Sequence, residues 1–89
     1  MVKKQITIIN KLGLHARAAV KFVNLANEFD AEIQLTANHR CVNGKSIMGI
    51  MMLAASRGTT ITLSADGSDE NHALEQLERL VQDRFGEPE

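Results

Sequence analysis

The chain has 89 residues, the size of one domain with one hydrophobic core. Its 10 basic and 11 acidic residues give a net charge of −1, so no global positive field favours nucleic acid or an anionic membrane surface. Only three residues are aromatic, so the core must be mainly aliphatic, and the longest apolar run, over residues 47–55, is far shorter than the roughly 20 residues of a membrane helix.

Apolar and polar residues alternate at the start of the chain, which predicts a strand over residues 2–9. From Ala16 the apolar positions follow helical spacing, and we predict a helix over residues 16–28. Alternation returns over residues 31–36 and in a short segment around 40–43. We expect these two strands to pair as a hairpin.

The second half of the chain begins with Ser46, a good N-cap residue. The helix that follows is predicted over residues 47–57, with Gly58 ending it. Alternation predicts a fourth strand over 59–65. Apolar residues at intervals of three and four then predict a third helix over about 69–85.

These elements follow the order β-α-β-β-α-β-α. Strands that are apolar on one face only indicate an antiparallel sheet with helices on one side and water on the other. The sequence therefore predicts an α+β open-faced β-sandwich, in which three helices cover one face of a four-stranded antiparallel sheet. The residues expected in the core are Ile6, Ile8, Phe22, Val23, Ala26, Ile33, Leu35, Ile61, Leu63, Leu74, Leu77 and Val81.

His15 lies just after Gly13-Leu14 and just before the first predicted helix. The first turn of a helix has amides without intrahelical partners and the positive end of the helix dipole, so it attracts a phosphoryl group. A neutral imidazole held there can accept such a group. An ordinary surface histidine before a helix is the alternative, and spacing alone leaves both open.

The second predicted helix is apolar nearly all round, so some of its side chains must be exposed. Flexible methionines on such a surface are typical of a site that meets several partners, although close packing into the core at Gly49 is the alternative. The N-cap role is sufficient to explain Ser46. A phosphate on Ser46 would add about two negative charges and would oppose an acidic or apolar partner.

The remaining chemistry-bearing residues give weaker signals. His39 and Cys41 are predicted to lie on one face of a strand, but a structural zinc needs four ligands and no further cluster is present, so we expect neither a metal site nor a cofactor. Cys41 is the only cysteine and cannot form an intramolecular disulfide, and the first residues do not resemble a secretory leader, so we expect a cytoplasmic protein. His72 is expected to be a solvated surface residue.

Two motifs together carry a family resemblance. Residues 13–17, Gly-Leu-His-Ala-Arg, and residues 43–49, Asn-Gly-Lys-Ser-Ile-Met-Gly, in a chain with this order of elements, closely resemble the HPr family, the histidine phosphocarriers of the bacterial phosphotransferase system. The match covers nearly the whole chain and implies one HPr-like domain over residues 1–89.

The resemblance implies that His15 accepts a phosphoryl group on Nδ1 from phospho-enzyme I, which is charged from phosphoenolpyruvate, and passes it to a histidine of an EIIA protein or domain. It implies a carrier rather than an independent enzyme. Arg17 would help neutralise the phosphoryl oxygens, and the backbone N–H groups of Ala16 and Arg17 would be fixed donors. Ser46 matches the family's regulatory serine, the target of HPr kinase/phosphorylase in bacteria that possess one.

The resemblance also implies a partner-binding surface around the histidine, formed by Val20, Ile47, Met48, Met51 and Met52. Transcriptional regulators are further expected partners, and the chain is expected to be a monomer. The alternative function is a regulatory protein-binding module of sugar or nitrogen metabolism, switched at Ser46 without phosphoryl relay. The sugar and nitrogen-related branches of the phosphotransferase system are both open at this point.

One position departs from the family pattern, because HPr usually has proline directly after the arginine and this chain has Ala18. Proline early in a helix fixes φ and removes an amide that has no partner. We therefore expect alanine to loosen the first turn modestly and to add one donor.

Overall fold

The computed structural model describes all 89 residues. Its order of elements, β-α-β-β-α-β-α, is the predicted one, and the bounds mostly differ from the prediction by one or two residues. The elements are β1 (Val2–Thr7), α1 (Ala16–Ala26), β2 (Glu32–Ala37), β3 (Arg40–Asn43), α2 (Ile47–Leu53), β4 (Thr60–Asp66) and α3 (Glu70–Gln82), followed by a 3₁₀ turn, Arg84–Gly86.

The four strands form one sheet in the order β1-β4-β2-β3, and every neighbouring pair is antiparallel. Burial alternates along the strands, as in β2, where Ile33 and Leu35 are buried and Gln34 and Thr36 are exposed. The helices cover the apolar face, and the polar face stays open to solvent. The predicted open-faced sandwich and its hairpin of β2 and β3 are therefore confirmed. No helix is long and apolar enough to span a bilayer.

The core is one cluster of 23 buried apolar residues between the sheet and the helices. Every predicted core residue belongs to it except Leu74, which is only partly buried at its margin. The prediction missed Phe85, which is fully buried. The third helix ends at Gln82 rather than residue 85, and Arg84 and Phe85 adopt positive φ angles of 56° and 54°. Burial of a phenylalanine side chain contributes about 1.5–3 kcal/mol, which offsets much of the cost of placing two residues in the left-handed conformation.

The predicted end of α2 at residue 57 is wrong, because the helix stops before Ala54, which has a left-handed φ of 54°. Beyond it, the carbonyl of Ala55 accepts a hydrogen bond from the amide of Leu14 at 2.9 Å, and Ala55 is buried. Gly58 therefore does not end the helix. The segment after α2 is tied instead to the loop that precedes α1.

The prediction that His39 and Cys41 share a strand face is also wrong. His39 lies in the turn before β3, where Asn38 and His39 have φ angles of 52° and 64°. A two-residue turn with positive φ matches the twist of the paired strands, so the turn takes His39 out of the ladder.

Asp69 links the start of α3 to the loop before β2 by hydrogen bonds. Its two carboxylate oxygens accept the amides of Asp30 and Ala31, each at 2.9 Å. The hydrogen bond from the Asp30 amide has the largest effect and lowers the pKa of Asp69, whereas burial raises it. The Ala31 amide and the charge of Lys45 lower it further, so the pKa lies below its usual 3.8.

We expect Asp69→Ala to lower stability at neutral pH and to lower it less in acid. A carboxylate with a lowered folded-state pKa stabilises the fold above its unfolded pKa, and this contribution is lost as the pH falls through the folded value. Urea midpoints of the wild type and the variant should therefore converge as the pH drops below 3.8. Asp83→Ala, which removes an exposed carboxylate without a side-chain hydrogen bond at the end of α3, should show no such convergence.

Candidate functional site

His15 is the N-cap residue of α1, as its position in the sequence predicts. Its backbone is extended, with φ −75° and ψ 178°, and its carbonyl accepts the amide of Ala19 at 2.9 Å. The imidazole turns back over the helix start, where Nδ1 accepts the amide of Arg17 at 3.2 Å. The ring therefore lies at the positive end of the helix, with Nδ1 on the side of the free amides.

The second ring nitrogen of His15 is held by the C-terminal tail, residues 83–89. Nε2 is hydrogen-bonded to Oε2 of Glu87, whose side chain is only 14% exposed. A carboxylate can only accept, so the proton of the neutral ring lies on Nε2. Nδ1, which accepts from Arg17, then carries the in-plane lone pair. Both contacts of the ring select the same tautomer.

The carboxylate of Glu87 is itself held in place. Its Oε1 accepts from Nδ2 of Asn10 at 2.9 Å, and the same Nδ2 donates to the carbonyl of Gly13 at 2.8 Å. Burial raises the pKa of Glu87, but the hydrogen bonds from Asn10 and His15, together with the positive charge of Lys21, outweigh burial and lower the pKa overall. Glu87 is therefore a carboxylate at neutral pH.

The tail that carries Glu87 is anchored on both sides of it. Lys21 donates Nζ to the carbonyl of Phe85 at 2.7 Å, and the Phe85 ring is buried in the core. Beyond Glu87, the carbonyl of Glu89 accepts the amide of Lys11 at 3.1 Å. These contacts place the tail across the loop that precedes α1.

The surroundings of Nδ1 suit an anion. The amides of Ala16 and Ala18, in the first turn of α1, donate to no protein group, and the exposed guanidinium of Arg17 makes no ion pair. An open cleft of about 730 Å³ lies beside them. Its lining residues are Lys11, Leu12, His15, Ala16, Arg17, Glu87, Pro88 and Glu89. The free amides and the unpaired guanidinium of Arg17 can neutralise a phosphoryl group there, whereas Lys11 is paired with Glu89.

Ser46 caps α2, with its Oγ accepting the amide of Gly49 at 3.0 Å. The helix behind it buries Ile50 and Leu53 but leaves four large apolar side chains exposed, which excludes close packing of the whole helix into the core. α1 packs against α2 and adds the 39%-exposed Val20. We call these residues the α1–α2 apolar surface: Val20, Ile47, Met48, Met51 and Met52.

The other histidines lack these surroundings. His72 is exposed at the start of α3 and packs edge-on against Phe29, with ring centroids 5.4 Å apart. His39 is exposed in its turn. The fold brings no three His, Cys, Asp or Glu side chains into a group that could hold a metal ion.

Sequence reasoning missed two residues of the His15 site, Asn10 and Glu87. Glu87 is 72 residues from His15 in the chain and lies outside any periodic segment. Asn10 reads as an ordinary turn residue, although it is fully buried. Neither position carries a local signal that would have identified it.

Comparison with known proteins identifies the family of the chain. The PTS-HPr family, described as the PTS HPr component phosphorylation site, matches residues 2–83. The phosphocarrier protein HPr of Neisseria meningitidis is 55% identical over 89 residues, covering all of both chains. The crystal structure of HPr-C-His from Thermoanaerobacter tengcongensis has a TM-score of 0.96 at 45% identity, again covering all of both chains.

A crystal structure of an HPr dimer from Thermoanaerobacter tengcongensis is also similar, with a TM-score of 0.78 and 46% identity over 98% of this chain and 100% of the other. The family match, the sequence identity and the fold all confirm the resemblance to the HPr family. The chain belongs to the HPr family, the phosphocarriers of the phosphotransferase system.

Proposed function

We propose that the chain carries a phosphoryl group on Nδ1 of His15, which it accepts from phospho-enzyme I and passes to a histidine of an EIIA protein or domain. The observation that carries the proposal is the ring geometry. Nε2–H is bound by Glu87, and the lone pair of Nδ1 lies at the N-terminus of α1.

The transfer needs no proton movement at His15. As the amide of Arg17 moves from Nδ1 to a phosphoryl oxygen, the Nδ1 lone pair attacks the phosphorus of the donor's phosphohistidine. The donor N–P bond breaks, and its electron pair returns to the donor nitrogen. The amides of Ala16 and Arg17 then donate to the phosphoryl oxygens, and the guanidinium of Arg17 neutralises their charge. Transfer to EIIA reverses these steps.

The α1–α2 apolar surface is the proposed docking site for both partners. It adjoins the helix that begins at His15, and its side chains are exposed without covering. Methionines adapt to differently shaped partners, which suits a carrier that meets a donor and an acceptor in turn. Such brief encounters also favour a monomeric carrier.

Ser46 is the proposed regulatory site, a substrate for HPr kinase/phosphorylase. Its hydroxyl lies at the start of α2, where phosphate suits the helix dipole but places about two negative charges beside the α1–α2 apolar surface. Phosphorylation would therefore weaken docking of enzyme I and create a distinct surface that transcriptional regulators can recognise.

The alternative is a binding module of sugar or nitrogen metabolism that uses the α1–α2 apolar surface and Ser46 without relay. That surface does not include the His15 imidazole, so a partner could bind it without phosphoryl transfer, which favours this candidate. Pull-down of the partners with wild type, His15→Ala and Ser46→Asp separates the two functions. Binding that ignores phosphorylation of His15 but is lost in Ser46→Asp would favour the module.

Incubation with enzyme I and radiolabelled phosphoenolpyruvate should give one acid-labile, base-stable phosphate per chain. His15→Ala should lose all of this label, because no other histidine lies at a free helix N-terminus with a bound Nε2. His39→Ala and His72→Ala are the matched controls and should keep it. Label that persists in His15→Ala would contradict the relay.

A further inference from the structure

We propose that Glu87, held by Asn10, keeps Nε2 of His15 protonated while Nδ1 carries the phosphoryl group. The phosphorylated His15 ring is then a phosphoimidazolium cation, and it is paired with the carboxylate of Glu87. The inference rests on the proposed function and assigns Glu87 as a positioning residue for it.

The contact between Glu87 and His15 is supported by further hydrogen bonds. Glu87 uses Oε2 for the ring of His15 and Oε1 for Nδ2 of Asn10, so both oxygens are occupied. Asn10 is fully buried and also holds the carbonyl of Gly13, in the loop that leads to the ring. One side chain therefore fixes the carboxylate and the loop together.

The backbone around Glu87 is fixed as well. On one side, the carbonyl of the buried Phe85 is bound by Lys21, and on the other the carbonyl of Glu89 is bound by Lys11. A carboxylate held between two such anchors is in place before the phosphoryl group arrives, so it needs no ordering at that step.

Retention of the Nε2 proton decides how the N–P bond can break. With the proton in place, the electron pair of the bond returns to Nδ1 and the leaving group is a neutral imidazole. Without the proton, the leaving group is an imidazolate anion, which is far more basic and leaves far more slowly. The same proton stays on Nε2 through loading and unloading, and Glu87 stays a carboxylate throughout.

The other charges near the ring do not supply this effect. Arg17 from α1 and Lys11 from the preceding loop are cationic and favour loss of the proton. Lys21, on α1, is also cationic and lowers the pKa of Glu87. The carboxylate of Glu89 pairs with Lys11 instead, with Oε2 3.5 Å from the Lys11 ammonium. Glu87 is the carboxylate in contact with Nε2.

The test uses the full chain with ¹⁵N-labelled histidine, phosphorylated by enzyme I and phosphoenolpyruvate, and follows Nε2 by NMR against pH. In Glu87→Gln, the pH at which the phosphorylated ring loses its Nε2 proton should fall by about one unit, since the charge-assisted bond is lost. Asp83→Asn removes a carboxylate from the start of the tail, outside the cleft, and should leave that pH unchanged. Glu87→Asp, which keeps the charge, should retain most of the wild-type value and guards against a folding defect.

Transfer to EIIA gives a second readout. At a pH above both titration midpoints the Glu87→Gln chain should unload roughly 10-fold more slowly than wild type, and at a pH below both midpoints the two rates should agree. Equal Nε2 titration in the wild type and Glu87→Gln would overturn this inference alone. A wild-type chain that forms no phosphohistidine would instead overturn the proposed function, and the inference with it.

Discussion

Ser46→Asp is expected to slow phosphorylation of His15 by enzyme I about a hundredfold. The side chain at this position begins α2 beside the exposed Ile47 and Met48, so a partner seated there must desolvate the new charge. Unfavourable charges in an interface cost several kcal/mol, and about 2.7 kcal/mol is sufficient for this factor. The initial rate of phosphorylation against chain concentration should show the loss mainly as weaker binding.

Ser46→Asn is the matched control, because asparagine caps a helix as well as serine does but carries no charge. We expect its rate to stay within about threefold of wild type, since the cap on Gly49 is preserved. If both variants slowed the reaction equally, the cap geometry would be responsible rather than the charge. If Ser46→Asp had no effect, docking on the α1–α2 apolar surface would be wrong.

Gly13→Ala is expected to destabilise the fold by about 3 kcal/mol, the combined cost of a left-handed φ and of overpacking. Gly13 has φ +67°, and a Cβ there would lie 2.7 Å from the carbonyl oxygen of Ala55 and 2.9 Å from Cα of Ser56. Both neighbours are backbone atoms, so no side chain can move aside. The urea midpoint measures the loss, and phosphoryl uptake should fall with it, because the same glycine's carbonyl holds Asn10.

Gly58→Ala separates the two causes. Gly58 also has a positive φ, +89°, but a Cβ there would meet nothing within 4 Å. We expect a loss of only about 1 kcal/mol, from the backbone conformation alone. Equal losses at both glycines would mean that the close approach of the segment after α2 to the His15 loop does not matter.

The order of elements and most of the core could be predicted because they depend on local periodicity. Strand residues such as Ile33 and Leu35 alternate with polar ones, and helix residues such as Phe22 and Leu77 recur at helical spacing, so each element identifies its own buried face. The position of His15 at a helix start was predictable for the same reason.

The failures occur where tertiary contacts override local preference. α2 stops early because Ala55 pairs with the loop before α1, and α3 stops early because Phe85 turns into the core. His39 leaves the strand because the hairpin needs a turn with positive φ. Each of these depends on a neighbour far away in the chain or on the twist of the assembled sheet.

The site was therefore only half predictable. The motif around His15 specifies the proposed nucleophile and its amides, and both are local to one helix start. Its partner Glu87 comes from the tail, and Asn10 connects the two from a loop. The tautomer of the ring follows from those contacts and could not be obtained from the motif alone.

The most direct test of the account is the position of the phosphoryl group on the ring. ¹⁵N and ³¹P NMR of the chain phosphorylated by enzyme I should show coupling of phosphorus to Nδ1 of His15, with a proton retained on Nε2 and the hydrogen bond to Glu87 intact. Phosphorus bound to Nε2, the nitrogen held by Glu87, would contradict the account.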